Sequence, residues 1–253
     1  VDRTAGVPGP HPRPGPSLGL KLSTDIRGIG APHPTRRATA WLGAVYGGLV
    51  ELAVPQPVLE TDTAWLLSCR ALPQPGYPSS PMLAASLAVP KDGSSPFHPA
   101  SSAPLRDLEP APARETTARV RNQARRVNAR GCVAALHSAL GGHRSVALPW
   151  RPAHEAPGWW DRLNRRYFPG FTHVPVDDWN DVIRALHGPG PDTRGLVWVR
   201  REAGGQEATG NLVYAHNNKG QVVLLDGVTG SLAVLDTSHL RELILLRSLP
   251  TTP

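Results

Sequence analysis

Apolar residues in this chain gather into short runs divided by Pro- and Gly-containing breaks, and the spacing inside each run predicts the element it forms. Ala38–Glu60 begins as a helix-compatible stretch and passes into a β-like run, Leu49–Val54, that stops at Pro55 and Pro57. Thr63–Leu72 (TAWLLSCRAL) and Met82–Val89 (MLAASLAV) read as two further strands bounded by turns. These runs predict a small α+β module over residues 36–108. SAPLRDLEPAPAR reads as a linker, and Glu115–Val127 (ETTARVRNQARRV), free of Gly and Pro, as a helix with a solvated arginine surface.

A second cluster of elements is expected in residues 109–253. CVAALHSAL, starting at Cys132, reads as a short helix stopped by Gly141 and Gly142, which suit a left-handed cap. Asp177–Leu186 has the acidic first turn of another helix. Three strands follow, Gly195–Arg200, Asn211–His216 and Gln221–Asp226, with Asn218-Lys219-Gly220 supplying a hairpin turn. Ser238–Arg247 is a last amphipathic stretch. Residues 1–35, rich in Pro and Gly, have little apolar surface to bury and are expected to form a disordered tail.

Composition sharpens this only slightly. Gly 25 and Pro 28 are about a fifth of the chain, against roughly 12% in average usage, which marks it as loop-rich. The net charge of +7 rests on Arg, since Lys occurs only at Lys21, Lys91 and Lys219. Arg, Pro, Ala and Gly are what GC-rich codons supply, and no zinc-finger, helix-turn-helix or RNA-binding motif accompanies the charge, so nucleic acid is the least favoured partner. The 2 cysteines form no CxxC or Cys/His cluster. A disulfide framework and a zinc site are therefore not expected, nor is any cofactor. No apolar run reaches the roughly 18 residues of a membrane span, and the start lacks a basic n-region followed by an apolar h-region. The expectation is a cytoplasmic location in the producing cell, or export by a specialised route.

The candidate chemistry centres on Cys132. A thiol at a helix N-terminus meets unpaired N–H donors and the positive end of the helix dipole, which favour the thiolate, although a lone Cys on an apolar helix is commonly just a small core residue. The order of downstream segments adds to this: GCVAALHSALGG at Gly131–Gly142, GNLVYAHNNKG at Gly210–Gly220 and VVLLDGVTG at Val222–Gly230. This order resembles the papain-fold toxin domains, of glutamine deamidase type, found in bacterial polymorphic toxins. The resemblance implies a papain-like cysteine hydrolase fold, a helix with an N-terminal Cys packed on an antiparallel sheet, and catalytic roles for Cys132 as nucleophile and Asp226 as the orienting carboxylate. It places Asn211 where the family has its general-base His. A two-residue loop at Asn218-Lys219 would set Asn211 directly opposite Asp226; a three-residue loop including Gly220 would bring Asp226 to the face of Leu212, Tyr214 and His216, making His216 the candidate base. Gly131 and Ala135 also depart from the family, which often has Asn and Cys there.

The remaining histidines, His137, His143, His173 and His187, are read as surface or capping residues, with His173, in GFTHVP, kept as one that could reach a cleft. Trp159-Trp160 beside Arg162, Arg165 and Arg166 reads first as core and second as a groove for a protein or nucleic-acid partner. VELAVPQPVLETDTAWLLSCR with PMLAASLAVPKDGSSPFHPAS resembles the YrhB-like domains of toxin-immunity neighbourhoods, which implies that residues 36–108 bind an immunity protein or adaptor. The resulting expectation is a polymorphic-toxin-type protein whose deamidase domain acts on a protein substrate with a reactive glutamine, weakened or inactivated by Asn211. The alternative is a catalytically silent binding or regulatory protein.

Overall fold

The computed structural model describes residues 33–250, so the expected tail lies almost entirely outside the described residues. The described residues all belong to one compact unit. The architecture is α+β with antiparallel strands in two sheets.

The first sheet is built by residues 50–90. Helix α1 (Pro34–Tyr46) starts on Pro34, whose fixed φ and missing N–H suit a first helical position, and it buries Ala38, Leu42 and Tyr46 against the sheet. Strands β1 (Val50–Leu52), β2 (Leu59–Glu60) and β4 (Ser86–Pro90) all pair antiparallel with β3 (Ala64–Ala71). The run Met82–Val89 is thus strand only in its second half. Its first half is a buried loop.

A 3-10 turn (Pro104–Leu108) leads to α2 (Ala113–Arg121) and α3 (Gln123–Arg126), one expected helix interrupted at Asn122. The arginines here are not all solvated. Arg119 is buried beside Asp107, donating to its backbone carbonyl at 2.7 Å, and Arg126 meets the Asp107 carboxylate at 2.5 Å. Burial pairs these guanidiniums with a carboxylate because an unpaired buried charge is costly.

Helix α4 (Ala129–Leu140) carries Cys132, and α5 (Trp159–Tyr167) and α6 (Trp179–His187) follow, α6 being capped by the Asp178 side chain on the Asp181 N–H at 2.8 Å. The second sheet contains β5 (Thr172–Val174), β6 (Arg194–Ala203), β7 (Gln206–Asn218), β8 (Gln221–Asp226), β9 (Ser231–Leu232) and β10 (Leu240–Ser248), in the order β5-β10-β6-β7-β8-β9. Period-2 alternation splits its faces. Leu196, Trp198, Leu212 and Tyr214 pack under α4 and α5; Val197, Val199, Val213 and Ala215 pack under α6.

The two sheets are joined through a break in β7. The β6–β7 register shifts between Val199 and Arg201, so the segment Thr209-Gly210 leaves the ladder. The Gly210 N–H donates to Leu83 O at 2.8 Å, and the Thr209 N–H donates to the Ser86 hydroxyl at 3.0 Å. Buried His98 braces the β4 side of this junction to α1, with Nδ1 2.7 Å from Ser86 O and Nε2 2.6 Å from the Tyr46 hydroxyl. Burial lowers its pKa; the ring is neutral, donating through Nδ1 and accepting through Nε2.

Candidate active site

The candidate site forms where β8 ends beneath α4. Asn128 precedes the helix, and the first intrahelical bond runs from the Cys132 N–H to Asn128 O at 3.0 Å. Cys132 therefore sits one turn in, past the free N–H groups, where the expected reading had put it at the helix start. Its thiol is half-buried. Burial pushes its pKa up, the Asp226 charge pushes the same way, and Arg125 pulls weakly against both.

The hairpin register differs from both sequence-based alternatives. Asn218 pairs with Gln221, so the loop is Lys219-Gly220, with φ of 52° and 92°. Two successive left-handed residues make a type I′ turn, the geometry that matches the twist of its strands. The turn lies one residue later than the two-residue loop expected from the sequence, and Asp226 consequently faces Val213. Asn211 is a diagonal neighbour on the same face, close enough for its Nδ2 to donate to Asp226 Oδ2 at 3.0 Å. Both side chains are buried.

Asp226 is otherwise engaged by its own turn. Its Oδ1 accepts from the N–H groups of Val228 at 2.8 Å and Thr229 at 3.3 Å, closing the DGVTG segment. Asn211 Oδ1 accepts from the Leu212 N–H at 2.9 Å. The pair is a structural clasp as well as a candidate dyad.

Gly227 brings that clasp to the cysteine. A Cβ built there would lie 2.9 Å from Cys132 Cβ and 3.1 Å from its carbonyl carbon, so only glycine lets β8 approach α4 this closely. The first glycine of the motif was legible in the sequence, but its contact was not.

His216 is not part of this arrangement. It pairs with Val223, three positions along the ladder from Asp226 and on the opposite face, and its Nε2 lies 3.4 Å from Asp192. The reading of His216 as a base is thereby corrected: the observed register separates it from Asp226. His137, on α4, is not a free surface group; its Nδ1 is 2.9 Å from the Tyr214 hydroxyl, and burial and Arg194 lower its pKa.

Sequence reasoning missed the group that braces the helix from its other side. Glu155, fully buried, accepts from Arg130 at 2.5 and 2.9 Å, from Trp150 Nε1 at 3.1 Å, and from the N–H groups of Leu83 and Ala84 at 3.0 and 3.2 Å. Burial alone would raise its pKa, but the Arg130 charge and these hydrogen bonds outweigh it and hold the carboxyl at about 2. Nothing in RPAHEAPG signals such a role, because a single Glu in a loop carries no periodicity. A polar cavity of about 500 Å³ opens next to the Asp226 turn, lined by Val228, Thr229, Arg106, Arg119 and Arg126 among others. Among the described residues, no His, Cys, Asp and Glu group has the arrangement of a metal site.

No curated protein and no solved structure matches the chain. Residues 127–231, from the residue before Asn128 through α4, the β7–β8 hairpin and the Asp226 turn, match the family model described as papain fold toxin 1, glutamine deamidase.

Proposed function

We propose that residues 127–231 keep the scaffold of a toxin-type protein-glutamine deamidase but lack the base that would turn Cys132 into a thiolate, so that the domain hydrolyses amides slowly or not at all. The observation that carries this reading is the partner of Asp226, the Asn211 amide at 3.0 Å. In the reaction the family carries out, a Cys thiolate attacks the carboxamide carbon of a glutamine, ammonia leaves after protonation, and water cleaves the thioester to give glutamate. That sequence needs a group to take the thiol proton and return it to the leaving nitrogen. An amide does neither near neutral pH, and general-base assistance is worth roughly 10²–10⁴ in rate. The raised pKa of Cys132 supports the same conclusion, because less thiolate is present at neutral pH than for an ordinary cysteine.

The protein would then act by holding a target, with residues 36–108, the YrhB-like part, offering the surface for an immunity or adaptor protein. The test is iodoacetamide labelling of Cys132 across pH, read at the Cys132 peptide, together with ammonia release from a glutamine-rich protein such as β-casein. The chain as it stands is expected to label with a pKa above that of a free thiol and to release no ammonia, and Asn211→His to label at lower pH. A low-pKa thiolate or steady ammonia release from the unmodified chain would overturn the reading.

A further inference from the structure

We propose that the cavity between α4 and α5 is a binding site for an amphipathic monoanion, an apolar chain or ring carrying one carboxylate. It measures about 510 Å³, within the roughly 300–1,000 Å³ of small-ligand sites, and Cys132 does not line it. It lies on a different face of α4 from the candidate active site.

The sequence makes the room. Gly131, Ala134, Ala135 and Ser138 fall at the three- and four-residue spacing of one helix face, and all are small. Leu163 of α5 supplies part of an apolar wall. Val146 and Leu148 line the site from the loop after α4 and are 87% and 61% exposed, apolar surface that a bound ligand would cover.

Charge selects the kind of ligand. Arg130, Arg162 and Arg166 line the cavity, and no carboxylate does. Arg130 is neutralised by Glu155 behind it. Arg162 spends its N–H groups on neutral acceptors, Pro157 O at 2.5 Å and Ala156 O at 2.8 Å, so its charge is left unbalanced. Arg166 stacks over Tyr167 at 5.3 Å and forms no ion pair among the described residues. His154 accepts the Arg151 N–H through Nδ1 at 3.2 Å, and burial and Arg130 lower its pKa, which leaves a neutral ring with its Nε2–H as a further donor.

A nucleic acid fits less well. Trp159 is buried, edge-on to Trp198 at 4.6 Å and covered by Arg130 at 4.1 Å, so it offers no free face for a base. The carboxylate has two natural sources, a fatty acid or the C-terminal residue of a peptide.

The experiment is calorimetric titration of the full chain with decanoate, decanol, and an acetylated tetrapeptide ending in leucine, as free acid and as amide. One equivalent of a carboxylate is expected to bind, with decanol or the amide weaker by about tenfold, and Arg166→Glu is expected to weaken the acid about tenfold while leaving the melting temperature unchanged. Tighter binding of decanoate assigns a fatty acid, and tighter binding of the peptide acid assigns a chain terminus. Equal binding of acid and neutral analogue, no binding of either acid, or indifference to Arg166→Glu would overturn the proposal.

Discussion

Glu155 and Asp226 are both buried carboxylates, and both press on the helix that carries Cys132, yet they act on their surroundings in opposite ways. Glu155 meets a guanidinium two residues before the cysteine, so its charge is cancelled where it sits. Asp226 receives its side-chain bond from a neutral amide, and its negative charge reaches the thiol, raising the Cys132 pKa. The number of hydrogen bonds is not what separates them, since each carboxylate is well supplied with donors. The protonation chemistry of the partner is. A cation or a proton carrier beside Asp226 would favour a thiolate, whereas an amide leaves a brace.

Removing Glu155 should break the comparison most visibly. Glu155→Ala strands Arg130 in the interior and is expected to cost about 3–5 kcal/mol, read by chemical denaturation. The same residue sets a pH dependence. Its folded-state pKa of about 2 lies below the ordinary carboxylate value of 4.5, so its stabilisation is complete above about 4.5 and is lost as pH falls through the window towards 2. Glu155→Gln should flatten that part of the acid-unfolding curve, and an unchanged curve would remove Glu155 from this role.

Asp226→Ala leaves the Asn211 amide and the Val228 and Thr229 N–H groups without their acceptor, and a loss of about 2 kcal/mol is expected. It should also lower the labelling pKa of Cys132, because the charge that raises it is gone. A catalytic carboxylate would give the reverse, a less reactive thiol. Gly227→Ala forces a methyl group into the Cys132 backbone and is expected to cost about 1–2 kcal/mol. Protection of Cys132 from iodoacetamide should fall in parallel. Smallest in stability is Asn211→His, expected to change folding by under about 1 kcal/mol while shifting the thiol titration.

Much of the fold was legible because local pattern and local structure agree. The helix at Cys132, the helix with an acidic start near Asp177, and the three strands ending at Asp226 follow from periodicity and the preference for acidic residues at helix starts, and all fall close to the expected places, with Asp178 taking the cap position and not the first turn. The hairpin was misjudged by one residue. Lys219 adopts positive φ although Asn218 beside it is the more usual residue for that conformation, and moving a two-residue turn by one position moves the pairing by two, which keeps Asn211 and Asp226 on one face. That step turned Asn211 from a direct partner of Asp226 into a diagonal one, and the two-residue turn, in place of a three-residue loop, left His216 on the opposite face. The break at Thr209-Gly210 was equally hidden, because the bonds that stabilise it come from Leu83 and Ser86, more than a hundred residues away.

The sequence by itself determined the order of elements, the residue types gathered in the candidate site, and the absence of an imidazole at position 211, since each is written in local spacing or residue identity. Only the tertiary structure decided which charge faces which group: that Arg130 belongs to Glu155, that Asp226 caps its own turn and bears on Cys132, and that the small face of α4 opens onto arginines without carboxylates. Those relations depend on burial and on distances between segments remote in the chain, and electrostatics in a low-dielectric interior changes strongly over a few ångströms that no local pattern encodes.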